Sequence, residues 1–193
     1  MDGVFAIVMT LLVLTIKVPT VVGPVSDAVL RRTLVDMLPG LGIYGITFLL
    51  LGLMWYSNRS SFSVIARGDA ALRGLTIVWL MLVAMVPFTT SLNSAYLGLR
   101  VPAVLFHVNM LLIGTLSLLT WVYASKSGLL HKSLGPAARA ALGRSNWVLP
   151  AVPVLALSAS LVSPMWSAAV YLAAPLARWA LGRTARPAHG DAE

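Results

Sequence analysis

The 193 residues carry 14 Lys and Arg against 6 Asp and Glu, a formal charge of +8, yet only 10% are charged and 59% are hydrophobic. At a mean hydropathy of +0.88 the chain cannot present a wetted surface, since soluble domains carry about 25% charged residues; it must expose apolar side chains to lipid. Its cations sit in short connectors, which points to headgroup contact and against nucleic acid, and the lack of cysteine excludes disulfides, thiol catalysis and cysteine metal sites.

Six apolar runs follow in chain order, continuous rather than alternating, so the fold class is all-α with membrane-spanning helices. The first covers residues 3–18. It is read as a retained helix, because Asp2 stands where a signal peptide carries Lys or Arg, and no small-x-small site follows Lys17. Such a run rises roughly 24 Å, short of a hydrocarbon core of about 30 Å, which suggests further sequence upstream. The connector VSDAVLRRTLVDMLP is expected to form a short amphipathic helix with Ser26 or Asp27 as N-cap and Pro39 ending it.

The second and third runs cover residues 41–57 and 75–92, the third with Pro87 near its exit. The fourth, residues 102–124, is the longest clean run. The stretch HKSLGPAARAALGRSN is expected to form a short interfacial helix with Arg139 and Arg144 at headgroup level. A fifth run, 147–163, carries Pro150 and Pro153, tolerable near a helix start and kinking deeper in. The sixth is 165–181. Residues 1–182 thus form one membrane domain, and the polar tail 183–193 is expected to be disordered.

With six spans, Arg59, Arg67, Arg73, Lys126, Lys132, Arg139, Arg144, Arg178, Arg183 and Arg186 share one side, and Lys17, Arg31, Arg32 and Arg100 the other. The positive-inside rule places both termini in the cytoplasm. Trp55, Tyr56, Trp79, Tyr96, Trp121, Tyr123, Trp147 and Trp166 lie mostly near run ends, where interfacial anchoring accounts for them. Gly40, Gly42, Gly45 and Gly52, with Ala168, Ala169, Ala173 and Ala174, permit close helix packing.

Little here could carry catalysis. There is no HExxH, GxSxG or GxxxxGK motif and no carboxylate pair, so an enzyme is not expected. His107 in FHVNM reads first as a hydrogen-bonding partner for a neighbouring helix, with Asn109 able to hold another contact. His107 would also be the residue to couple protons in a secondary transporter, although no broken-helix midplane site accompanies it. A non-conducting membrane scaffold is the third reading. No run has the regular arginine spacing of a voltage sensor.

The first run differs in kind. At about 100° per residue, Gly3, Ile7, Leu11 and Leu14 form one stripe with Thr10 on its flank. Copies of this helix around an axis would stack apolar rings beside a hydroxyl ring, a geometry that can gate ions by dewetting. Any Leu/Ile helix shows such a stripe, so spacing alone leaves the pore and the plain lipid-facing helix both open.

The residues DGVFAIVMTLLVL resemble the signature first helix of the transmembrane protein 175 family, the endolysosomal-type potassium channels and their bacterial relatives. That helix begins Arg-x-x-x-Phe-Ser-Asp and continues Gly/Ala-Val-Phe-Ala-Ile and Thr-Leu-Leu, matched here by Asp2 to Ile7 and Thr10 to Leu12. Trp55, the VPFTT beginning at Val86 and the FHVNMLLIG around His107 extend the likeness over the chain.

The resemblance implies a single-repeat bacterial member in the plasma membrane, a homotetramer whose first helices line a potassium-favouring pore without a TVGYG filter. Ile7 would be the main constriction, Leu11 and Leu14 further rings, and Thr10 the hydroxyl contributing to ion preference. Asp2, Gly3, Trp55, Asn58 and His107 would belong to the motif and its polar network. Partners would be further copies of the chain, membrane lipid and permeant potassium, with no cofactor and no metal. Two departures stand out: the family's Arg and Phe before the motif are missing, with Met1 in the Ser position, and Asn58 follows Trp55 where members tend to carry His. A start assigned too late, or a chain trimmed at this point, would account for the first; with Met1 as the true start, Asp2 would instead need a partner from another helix.

Overall fold

The structure is a computed structural model that describes residues 2–20, 23–173 and 175. Among the described residues, seven α-helices occur in order: α1 (Asp2–Val13), α2 (Asp27–Asp36), α3 (Leu38–Phe62), α4 (Ala70–Ala84), α5 (Val86–Ala95), α6 (Arg100–Lys126) and α7 (Pro136–Val162), followed by a 3-10 segment, Ser167–Leu172. Among the described residues, four helical runs are long and apolar enough to cross a membrane: α3, α4 with α5, α6 and α7. The described chain therefore differs from six full spans. α1 has only 12 residues, and the predicted sixth run begins as the 3-10 segment. The remainder of that run, and the tail 183–193, lie outside the described residues.

Local chemistry explains most boundaries. Ser26 caps α2 as expected, its Oγ accepting from the Val29 N–H at 3.3 Å. Pro39 does more than end α2: after Met37 the chain turns directly into α3, and Pro39 lies in that helix's first turn, where a missing N–H costs nothing. Pro87 likewise sits in the first turn of α5. The break at Met85 follows from it, since a proline at 87 cannot donate to the Val83 carbonyl and its ring crowds it. Asp69 caps α4 by accepting from Leu72 N–H at 2.8 Å and takes a second bond from the Tyr123 hydroxyl of α6. These bonds, the Tyr123 one first, hold its carboxyl below the usual range.

The expected interfacial helix around Arg139 and Arg144 is instead the first three turns of α7, which runs unbroken from Pro136 through both internal prolines. Nothing between Pro136 and Pro150 breaks a helix, so an alanine-rich start propagates straight into the apolar run. α6 and α7 pack closely along their length. At their crossing, a Cβ on Gly114 would overlap the Leu149 carbonyl and stand 2.9 Å from the Pro150 nitrogen. That carbonyl has no helical donor, because its partner four residues on is Pro153. The glycine lets the helix backbones meet where α7 has lost a hydrogen bond.

The main core joins Phe5, Val8 and Leu12 of α1 to Leu51 and Met54 of α3, Trp79 and Val83 of α4, Phe106, Met110 and Ile113 of α6, and Val152 of α7. Trp79 and Trp121 are only 3% and 5% exposed, so they are core rather than interfacial residues. The Trp79 indole N–H reaches Ser117 Oγ at 2.8 Å, which makes burial of that polar edge affordable in free energy. Tyr56, Tyr96, Trp147 and Trp166 are exposed, as interfacial anchors are.

Candidate functional site

α1 packs against α3, α4 and α5 on one side only. Phe5, Val8 and Leu12 are 3% exposed or less, and the Phe5 ring lies 5.5 Å from the Trp79 ring. On a helix these three positions fall within a sector of roughly 60°. Ile7, Leu11 and Leu14 lie on the opposite side and are 60%, 45% and 72% exposed. Gly3 and Thr10 share that open face. The stripe read from spacing is thus the half of α1 that its own chain leaves uncovered.

Thr10 Oγ1 donates to the Ile7 carbonyl at 2.8 Å. Its proton is committed along the helix, so the oxygen presents lone pairs on the exposed face. Leu14 lies just past the last residue of α1. Bonds from Leu14 to Leu11 and from Thr15 to Leu12, each 3.1 Å, tighten the chain there into i to i+3 geometry. No side chain meets a Cβ built on Gly3, so packing within one chain does not demand glycine at this position.

At the N-terminal end, Asp2 is held from α3. The Trp55 indole N–H donates to Asp2 Oδ1 at 2.9 Å, and Arg59 Nη1 lies 3.6 Å from Oδ2. The Arg59 guanidinium also stacks on the Trp55 ring, 5.6 Å from its centroid. With Asn58, Phe62 and Ser63 these residues line a cavity of about 280 Å³. The partner expected for Asp2 on another helix is therefore Arg59, a residue that sequence reasoning used only for topology. The signal was present: Trp55 and Arg59 are spaced i, i+4, so a carboxylate facing one faces both. Both charged side chains are more than half exposed, so the ion pair alone contributes little, and the indole bond sets the geometry.

His107 is fully buried and belongs elsewhere. Its Nε2 lies 2.7 Å from Ser167 Oγ and its Nδ1 3.0 Å from the Tyr171 hydroxyl. Ser167 spends its own proton on the Pro164 carbonyl at 2.8 Å, so it accepts from Nε2–H and leaves Nδ1 to accept from Tyr171. The imidazole is satisfied at both nitrogens and fastens the 3-10 segment to α6; the structure does not join it to Asp2 and Trp55. Asn109 reaches Thr89 of α5 at 3.4 Å.

Trp55→Phe is expected to keep an aromatic face under Arg59 while removing the bond to Asp2 and part of the indole's packing. A lost hydrogen bond to a charged acceptor costs roughly 1.5–3 kcal/mol when buried and less at this exposed site. The readout is protease cleavage or amide exchange within residues 2–13, which should rise while α6 and α7 are unaffected. Unchanged protection of α1 would show that the latch does not hold it.

A bundle of apolar helices, four of its helical runs long enough to cross a membrane, defines an integral membrane protein, and its one short apolar helix has a face that its own chain leaves uncovered. The family described as endosomal/lysosomal potassium channel TMEM175 matches residues 1–87. A potassium channel of Streptomyces collinus is 37% identical over 145 residues, covering 72% of this chain and 69% of that protein. A potassium channel of Chamaesiphon minutus is 41% identical over 101 residues, covering 50% of this chain and 47% of that one. The crystal structure of a lysosomal potassium-selective channel TMEM175 homolog from Chamaesiphon minutus superimposes with a TM-score of 0.76 at 28% identity, over 96% of this chain and 94% of the other. The chain belongs to the TMEM175 family, a family of ion channels, and is not an enzyme.

Proposed function

We propose that this chain is the subunit of a potassium-favouring cation channel, a homotetramer in which α1 of each copy lines the pore. The observation that carries the reading is the two-faced burial of α1: one apolar face sealed into the bundle, the other apolar face with Thr10 left open. In the assembly Ile7 forms the narrowest apolar ring, Leu11 and Leu14 form further rings, and Thr10 supplies oxygen lone pairs to a partly dehydrated cation. Asp2, Gly3, Trp55 and Asn58 form the polar end of α1 and its seat, while His107 supports the wall behind it. The basic connectors support a cytoplasmic position for that end in a bacterial-type plasma membrane. Two of the family relatives, those of Streptomyces and Chamaesiphon, are potassium channels by name, which supports the ion.

Purified protein in planar bilayers should pass potassium in preference to sodium, and its detergent-solubilised mass should be that of four copies. Thr10→Val keeps the shape but removes the oxygen, so the potassium-to-sodium permeability ratio should fall toward one with current retained. A ratio identical to the parent's would remove Thr10 from the selectivity step. A saturable, coupled flux through His107 finds no support, since both ring nitrogens already have partners.

A further inference from the structure

The loops 63–69 and 127–135 meet on the side of the bundle where α1 begins. They are joined by an antiparallel bridge between Ile65 and Leu130. Ala66 N–H donates to Leu129 O at 2.8 Å and His131 N–H to Val64 O at 2.9 Å. Beneath the bridge Leu130 is buried with Trp121 and Ala124, flanked by Val64, Ile65 and Leu142. Two connectors far apart in sequence thus form one fastened platform.

Arg67, Lys126 and Lys132 are exposed on or beside these loops, and Arg139 and Arg144 are exposed on the first turns of α7 that follow them. The carboxylates on the same side, among the described residues, are already engaged: Asp2 by Trp55 and Arg59, Asp69 by Tyr123 and Leu72. Among the described residues, these five cations form no ion pair. Depth decides what they meet. α7 has 27 residues and is about 40 Å long, some 10 Å more than a hydrocarbon core. Trp147 is 63% exposed on α7, and exposed tryptophans of membrane helices gather at the headgroup boundary, which makes it the marker of that level. Arg144 lies one turn before it and Arg139 two, about 5–12 Å nearer the water, which is headgroup depth.

We propose that this fastened platform and the turns of α7 that follow it are a docking surface for anionic phospholipid headgroups, held by Lys132, Arg139 and Arg144 with Arg67 on the adjoining loop and Lys126 at the end of α6. The proposal rests on the cytoplasmic reading of this side given above, but lipid binding does not require the protein to conduct. The loop 63–69 follows directly on the α3 turn that holds Asp2, so an occupied platform stabilises the fold near the start of α1.

The full chain in neutral detergent would be titrated with dioleoylphosphatidylglycerol or dioleoylphosphatidylcholine while its melting temperature is followed. Lipid retention by native mass spectrometry provides a second readout. Phosphatidylglycerol should raise the melting temperature and phosphatidylcholine should not. Each cation near an anionic surface is worth about 1 kcal/mol, so in the Arg139→Gln/Arg144→Gln variant the half-effective concentration should rise roughly 30-fold. The Arg31→Gln/Arg32→Gln variant, with equal charge loss on the opposite side, should respond like the parent. Equal responses to the two lipids overturn the proposal, as do a parent-like response of the first variant or an equal loss in the second. A shift reproduced by inorganic phosphate or glycerophosphoglycerol would make this a free-phosphate surface and overturn the lipid assignment. Protein that binds the lipid as expected but carries no current refutes the channel reading alone.

Discussion

Replacing Ile7 by Asn is expected to raise single-channel potassium conductance about tenfold, the effect of removing ~1.4 kcal/mol from a barrier. Ile7 is 60% exposed on the face of α1 opposite Phe5, Val8 and Leu12. A ring of such side chains offers water no hydrogen bonds, so a narrow neck tends to dewet and an ion crossing it sheds hydration without replacement. Asparagine nearly preserves side-chain size while giving water an amide to bind, which keeps the neck wet. The melting temperature should hardly move, because exposed substitutions stay within about 0.5 kcal/mol. Val8→Asn is the internal contrast. Val8 is 3% exposed in the core, and an amide buried there without partners costs about 1–3 kcal/mol, so this variant should lose stability instead. Unchanged currents in both Ile7→Asn and Leu11→Asn would remove α1 from the pore.

The second large effect is expected at Gly114. A methyl group there meets the Leu149 carbonyl and the Pro150 nitrogen, backbone atoms that cannot rotate aside. Gly114→Ala must therefore push α6 and α7 apart along a closely packed pair, costing about 1–3 kcal/mol by overpacking, and Gly114→Val should cost more. Helix propensity points the opposite way, since Gly→Ala in a helix interior normally gains up to about 1 kcal/mol. Gly74→Ala in α4, where an added Cβ meets nothing within 4 Å, supplies that baseline. Thermal unfolding in detergent should show Gly74→Ala at or above the parent and both Gly114 variants well below it. Equal melting temperatures for the two alanine variants would contradict the close crossing.

How legible the site was in the sequence depends on the range of the interaction involved. The open stripe of Ile7, Leu11 and Leu14 follows from 3.6-residue periodicity, and the capping of α2 by Ser26 from side-chain chemistry within three residues. The need for a partner to Asp2 was visible too. Arg59 as that partner was not, because it is 57 positions away and becomes adjacent only when α1 lies antiparallel to α3. The same holds for His107, whose environment is made by Ser167 and Tyr171 from beyond α7.

By itself the sequence determined membrane residence, an all-helical class, the candidate stripe on the first helix and, through its signature residues, the family. These rest on composition and on contacts within one or two helical turns. Tertiary structure alone decided that Trp79 and Trp121 are core, that Arg139 and Arg144 ride on α7, and that two basic loops close into one platform. It also made Gly114 the seat of a proline-broken backbone. The reason is that helix propensity and hydropathy act along the chain, whereas each of these depends on which helix face meets which, and many pairings share the same apolar pattern.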